Sequence, residues 1–405
     1  MMLKAHSLLY AIYICLLISI ICGALLYFFN LYSLLNLHYN LEEELYIQNQ
    51  SALNFALGNN LNETTDFLTD ENNSIHNSYN TKPYGLLNVV TTQSVFKNDT
   101  ITATHLIGGY NHLETALYIS NFTQNIGYNG IIKLHGTTYF PSNYISPTYL
   151  TNEINSFTHI GRKEISKLRL PEINPKFNRI LEGFTTNKNT LNNNNKVKDS
   201  LFFNSFTKPT EEINIDSNLS NIIIKGNFIL HNKDSIKITK SAILEDVIVV
   251  SPRITIEEGF KGNAQFIATQ KINVGTKVIL NYPSALILKS QENEETKIKI
   301  GKETKIFGTV VLFGNGIENI SKNSISIEDK NLVVGSIYCT GKLDLQGTVY
   351  GSVFTNKVFR QTSSSVHENV LHNLTINITK KPYYFMDFPL FINPNTKYGV
   401  IKKLK

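Results

Sequence analysis

The sequence has no tryptophan, only three cysteines, and charged residues at just 17% of its 405 positions. Two of the cysteines, Cys15 and Cys22, fall in one apolar run, which leaves Cys339 alone in the rest of the chain. No disulfide can form within residues 30–405, so burial and backbone hydrogen bonds must hold that part together. Familiar catalytic signatures are also missing: there is no HExxH, Gly-x-Ser-x-Gly, Walker loop or Cys-x-x-Cys. The ten histidines are scattered; His105 and His112 are seven apart and His367 and His372 five apart, with no third ligand at metal spacing. Two acidic pairs, Glu245-Asp246 and Glu257-Glu258, have the composition that glycoside cleavage needs, two carboxylates aimed into one groove. Carboxylates at strand corners are commonplace, so no catalytic, cofactor-binding or metal-ligating residue is assigned. The chain reads as non-enzymatic.

What the sequence does contain begins at its N-terminus. Ser7 to Phe29 is 23 residues long without one charge. A bilayer core about 30 Å thick needs about 20 apolar residues at 1.5 Å each, whereas a cleavable signal carries about 7–15. No small-x-small cleavage site follows. Lys4 precedes the run and Glu42, Glu43 and Glu44 are the first charges after it, which predicts a cytoplasmic N-terminus and an exported remainder. Leu31, Leu34, Leu35, Leu37, Leu41, Leu45, Leu53 and Leu57 continue at three- and four-residue steps, and Gly58-Asn59-Asn60 supplies a stop. One helix over about 50 residues is expected, half apolar and half amphipathic. With "LLYA" after a short basic start, this stem resembles those of type IV pilin-like proteins of the minor and pseudopilin kind. It departs from them in having no Gly-Phe processing site and in carrying Tyr10 where they carry glutamate. An ordinary signal anchor with a helical stalk reads the same residues.

Beyond the stem the composition favours strands: Tyr and Phe together number 43. Residues 59–82 are rich in Asn, Thr and Asp and read as a linker. Strand candidates follow at 86–96, 100–108, 115–120 and 130–140, giving a strand-rich, pilin-like or pre-solenoid region over 59–140. Residues 141–215 hold five of the eleven prolines and the run Asn192–Asn195, and read as an irregular connector with a short helix near 161–169.

From about 216 the texture changes to short β-branched runs trimmed by Gly, Asp or Asn. Taking Gly226, Asp246, Gly262 and Tyr282 as equivalent gives steps of 20, 16 and 20 residues, lengthening to 26 and 27 toward Gly308 and Gly335. A period near 20 predicts a β-solenoid over 216–360, because one coil is too small to bury its own inward side chains and must stack on the next. An antiparallel sandwich is the competing architecture. The motif Leu/Ile-x-Gly-Thr occurs at Leu134–Thr137, Ile306–Thr309 and Leu345–Thr348. Together with "VVGSIYCTGKLDLQGTVYGSV" it resembles bactofilins, polymer-forming bacterial proteins whose fold is a right-handed β-helix. Residues 361–405, with "KPYYFMDFPLF", are expected to cap the stack.

The expected fold is thus mainly β: a transmembrane stem (1–58), the strand-rich region, the connector, a right-handed β-helix and a C-terminal cap. The expected place is a bacterial inner membrane, spanned once, with the ectodomain periplasmic or extracellular. The expected role is that of a structural or assembly component of a pilus-like or secretion apparatus, or a surface scaffold, with membrane lipid and envelope proteins as partners. A β-helix protein that binds or cleaves polysaccharide is the alternative. Net charge is +6 overall, but residues 1–160 hold four Lys/Arg against ten Asp/Glu, so the remainder is the basic part. A basic surface suits acidic polysaccharide, anionic lipid or nucleic acid, but these lysines alternate along strands and a solvated sheet face explains them just as well. A glycan is kept as a partner and nucleic acid is not expected. No cofactor is expected. Mass spectrometry of the membrane-bound protein should find the apolar stem retained; a mature chain starting beyond residue 30 would contradict this reading.

Overall fold

The computed structural model describes residues 5–59, 61, 65–68, 75–110, 114–186, 201–290, 294–314, 320–391 and 396–404. The chain is mainly β, with one long N-terminal helix and a many-stranded parallel sheet. It forms two compact units: one of residues 1–56, 63–80 and 91–103, the other of 57–62, 81–90 and 104–405.

The first unit is built on the expected long helix, α1 (Ala5–Gly58). From Leu8 to Phe29 its large side chains are exposed on every face, and this stretch is long and apolar enough to cross a membrane. Only the last turns behave as a packing helix. Leu45, Asn49, Ala52, Leu53 and Ala56 are buried at steps of four, three, one and three, a single stripe. Against this stripe the contacts are partly polar. Asn49 donates from Nδ2 to the Ile101 carbonyl (3.1 Å) and accepts from Thr92 Oγ1 (2.8 Å). Asn77 accepts from Ser94 Oγ (2.6 Å) and donates to Gln48 Oε1 (3.3 Å).

These pairs explain why residues 76–82, expected in a linker, lie in the strand His76–Tyr84. Asn77 and Tyr79 are buried there, and an inward asparagine with satisfied hydrogen bonds looks like loop chemistry in a sequence. The short strand Thr65–Leu68 pairs with it antiparallel, Thr65 opposite Tyr79.

The second unit is dominated by parallel pairing. The chain returns beside itself after 15 to 27 residues: Lys342 lies beside Lys357, Lys225 beside Glu245, Gly262 beside Leu280, and Gly308 beside Gly335. Parallel register from Ile223 to Val358 excludes the antiparallel sandwich there, although Phe359–Gln361 pairs antiparallel with Val366–Glu368. Three columns result. In the first, inward Ile224 lies beside Leu244, and Leu280, Ile306, Val333, Val349, Ile376 and Leu134 continue in register. In the second, Val249, Phe266, Leu286, Val310, Ile337, Val353 and Leu117 point inward. The third contributes Ile254, Ile272, Ile298, Ile325 and Leu343. All are buried in one continuous core.

The second column is buried on its outer side as well. Ile267, Ile287, Val311, Tyr338, Phe354 and Tyr118 alternate with its inward residues and form a second core. Across them lie Leu86, Leu87, Phe388 and Leu390, with Phe177 and Leu181 of α2 (Pro175–Thr186). Burial on both faces is why "VIVV", "ALIL" and "VVLF" are unbroken apolar runs, while the third column keeps strict alternation.

Several expectations are corrected. The helix lies at Pro175–Thr186 and not at 161–169, where Lys163–Ile165 is a strand beside Thr138–Phe140. Pro175 opens the helix, and Asn174 Oδ1 accepts from the Lys176 amide as its cap (3.0 Å). The parallel sheet starts before 216, since Leu201–Asn204 and Glu211–Asn214 already pair with Ile223–Gly226 and Phe228–His231. Asn192–Asn195 fall outside the described residues.

The tail does not close the stack. Val370–Asn377 lies between Gly347–Gln361 on one side and Ile126–His135 on the other, so residues 115–165 extend the sheet past it. The aromatic segment lies instead across the outside of the second column, with Phe385, Phe388 and Leu390 buried and Tyr383 and Tyr384 exposed. Of the three Leu/Ile-x-Gly-Thr motifs, those starting at Leu134 and Ile306 share the first column, whereas Leu345 pairs with Ile327 in the third.

A glycine column marks one corner. Gly308, Gly335 and Gly351 are mutually in register at φ +153°, +133° and +151°. A Cβ on Gly335 would stand 1.8 Å from the Gly308 carbonyl oxygen, so no side chain fits. Gly335→Ala should lower stability by at least about 1–3 kcal/mol in urea unfolding; an unchanged midpoint would contradict the register.

Candidate functional site

The acids singled out in the sequence sit at two corners of the second unit. Glu245 and Asp246 line a cleft of about 350 Å³ with Phe203, Phe206, Lys225, Gly226 and the Lys402–Leu404 strand end. The register shifts between Glu245 and Val247, and Asp246 occupies that irregularity at φ +61°. Its Oδ1, amide and carbonyl are all engaged. Oδ1 meets Lys402 Nζ at 2.5 Å and accepts from Asn263 Nδ2 at 3.2 Å. The amide donates to Asn263 Oδ1 (2.9 Å), and the carbonyl accepts from Tyr84 Oη (2.6 Å). Burial, then the Asp246 charge, pushes the Tyr84 hydroxyl well above its ordinary range, so it serves as a donor and not as an acid. Glu245 pairs with Lys225 at 2.8 Å.

Glu257 and Glu258 follow the strand Arg253–Ile256. Glu257 accepts from the Lys240 amide (3.1 Å) and lies 3.5 Å from Lys237 Nζ. The amide, and then the lysine, hold its carboxyl below the usual range. Glu258 is exposed. The structure sets Glu245 beside Lys225, Asp246 beside Lys402 and Glu257 beside Lys237. Asp246 is thereby tied to its corner by lysine and asparagine side-chain donors, and Glu257 to its own by a backbone amide and a lysine.

The histidines do not converge. His112 lies outside the described residues. His367 contacts Ser365 Oγ at 2.7 Å, while His372 is buried with Nε2 3.8 Å from Glu153. His231 stands 3.3 Å from Glu212. Among the described residues no group of three or more His, Cys, Asp or Glu could hold a metal ion. Cys339 points into the core, where burial pushes its thiol up to about 12.

Two further concavities were not legible in the sequence. One, of about 730 Å³, lies between α2, residues 168–173 and the ends of strands near Phe313, Tyr338 and Asn356. The other, of about 540 Å³, is lined by Tyr110, Arg162, Lys381 and Tyr383. Tyr110 and Tyr383 meet edge to face at 5.8 Å, and the hydrogen bond between them takes the Tyr110 hydroxyl up to about 12. The Tyr383-Tyr384 doublet was the available signal, read as part of a cap.

Comparison with protein-family models, curated proteins and solved structures returned no match.

Burial is the first cause that lowers the pKa of His105, His159, His231 and His372 from the ordinary 6.5. A histidine held neutral by burial binds its proton more weakly folded than unfolded. Its contribution is complete above about pH 6.5 and is lost as pH falls through 6.5 toward the depressed value. Stability should therefore drop on acidification below about pH 6.5, and His372→Gln should make that drop shallower in pH-dependent urea titrations. An identical slope in the variant would contradict this.

Proposed function

We propose that this chain is a membrane-anchored, non-enzymatic scaffold of a bacterial envelope, whose larger unit is a right-handed β-helix. One observation carries the reading: a helix apolar on every exposed face leads into a chain that folds by stacking on itself with a 15–27-residue return. The first feature needs lipid, since a water-exposed stretch from Leu8 to Phe29 has no partner for its apolar surface. The second supplies a stiff body in which each strand is held by the next.

On this reading α1 crosses the inner membrane once, with the N-terminus in the cytoplasm, and the remainder works in the periplasm or outside the cell. The last turns of α1 beside a small sheet support kinship with pilin-like stems. The parallel columns and the glycine corner support kinship with bactofilin-like β-helices. Here Ile126–His135 lies beyond Val370–Asn377, so a segment early in the sequence covers the late end of the stack. The scaffold presents its flanks to envelope proteins or glycans.

Alkaline extraction and detergent fractionation test the anchor. Full-length protein should stay with the membrane pellet, and a chain lacking residues 1–30 should be soluble and folded. Alanine at Glu245, Glu257 and Glu258 should leave the assembled function intact. Full-length protein released by alkaline wash, or function lost in a folded triple-alanine variant, would overturn the reading.

A further inference from the structure

The three columns differ on their outer sides, and the third is charged. Its outward positions form two rows. In the first, Arg253 lies beside Lys271, Lys271 beside Lys297, Lys297 beside Ser324, Ser324 beside Lys342, and Lys342 beside Lys357. Five of six consecutive rungs are cationic and none is acidic. The inward neighbours Ile254, Ile272, Ile298, Ile325, Leu343 and Val358 are buried in the core, which turns the cations outward.

Among the described residues none of the five has a carboxylate within ion-pair distance. Lys342 and Lys357 instead stand over the rings of Phe359 (5.5 Å) and Phe122 (6.0 Å). The second row is different. Its Lys237 and Lys299 are paired with Glu257 (3.5 Å) and Glu328 (3.1 Å), and its one in-register acid, Asp344, is paired with Arg360 (3.3 Å). Within the third column, then, the lysines of the second row are ion-paired and the cations of the first row are not.

We propose that this row is a binding track for a linear acidic polysaccharide lying along the stack axis. The inference rests on the β-helix scaffold reading and names its ligand class. Like charges about 4.8 Å apart repel, so the folded stack carries an electrostatic cost that a polyanion laid across them removes. The line shape selects a chain over a lipid surface, which needs a broad basic patch beside apolar residues. Line shape also argues against duplex DNA, whose phosphates wind around the helix axis while advancing about 3.4 Å along it per strand. Residue type agrees: four of the five are lysines, point charges without the bidentate fork that favours phosphate.

The test uses full-length protein in non-ionic detergent titrated with polygalacturonate, with neutral dextran and duplex DNA as comparison ligands. Polygalacturonate should bind and weaken as salt rises, dextran should not bind, and DNA should bind less tightly. The row variant Arg253→Gln/Lys271→Gln/Lys297→Gln/Lys342→Gln should weaken polygalacturonate binding at least tenfold with unchanged thermal unfolding. A variant with the same loss of charge elsewhere, Lys225→Gln/Lys277→Gln/Lys302→Gln/Lys330→Gln, should bind within about twofold of the parent. Equal weakening in both variants, no binding by the parent, or tighter binding of DNA would overturn the track. These failures differ from failure of the scaffold reading, which shows as loss of membrane retention in protein that still binds polygalacturonate.

Discussion

The larger unit depends on parallel backbone pairing held in one register from strand to strand. No cystine braces it, and no single returning segment is long enough to enclose a core. Each inward Ile, Leu or Val becomes buried only because the same position one return later is also apolar: Ile306 under Val333, Val333 under Val349, Val349 under Ile376. The dependence is mutual, so stability accumulates along the stack and a misplaced rung damages its neighbours. The glycine corner shows how tight the constraint is. Carbonyl oxygens occupy the space that a Cβ would take at Gly308, Gly335 and Gly351.

Much of this pattern was readable, and the places where it was not share a cause. Periodicity reports the direction a side chain points relative to its own strand, and it reported the stacked region well. It does not report which segment lies beyond the last rung. The likeness of Leu134-His135-Gly136-Thr137 to Ile306-Phe307-Gly308-Thr309 was visible, yet only the structure shows Leu134 continuing the column after Ile376. Polar residues in buried roles misled in the same way. Asn77, hydrogen-bonded to Ser94 and Gln48, made a strand look like a linker. The aromatic tail was recognised as a cover, but composition cannot distinguish the end of a stack from its side. As for the acids, their sequence positions were plain, whereas the Tyr84, Asn263 and Lys402 partners of Asp246 come from 17 to 162 residues away.

The helix α1 sets a second, independent demand. The large side chains of its apolar stretch, Leu8 to Phe29, are exposed, while its last turns use a narrow stripe in which Asn49 sits among Leu45, Ala52 and Leu53. A buried asparagine between apolar neighbours costs free energy unless both amide atoms are matched, and here they are, by Thr92 and the Ile101 carbonyl. Such a pair resists sliding of the helix by a turn, because any other register leaves the amide unpaired. The two halves of one helix thus solve opposite problems: the first suits a featureless solvent and the second a single docked position.

The outer surfaces of the three columns follow from what each must meet. Where other parts of the chain lie against the second column, its outward residues are Ile, Val, Tyr and Phe, and the sheet is dry on both sides. The third column meets solvent, so its outward residues are polar, but polarity alone does not require that they be cations in a row. Random lysines on a solvated face would be offset by acids about as often in one row as in the next. Here Glu257 and Glu328, just past the strand ends, pair with Lys237 and Lys299 of the second row, and that row's own acid, Asp344, pairs with Arg360. Self-repulsion left standing along one line while its neighbour is neutralised is a cost with no return inside the fold. On the binding-track proposal the compensating charge comes from outside the chain, and a linear polyanion is the counterpart whose shape matches the line.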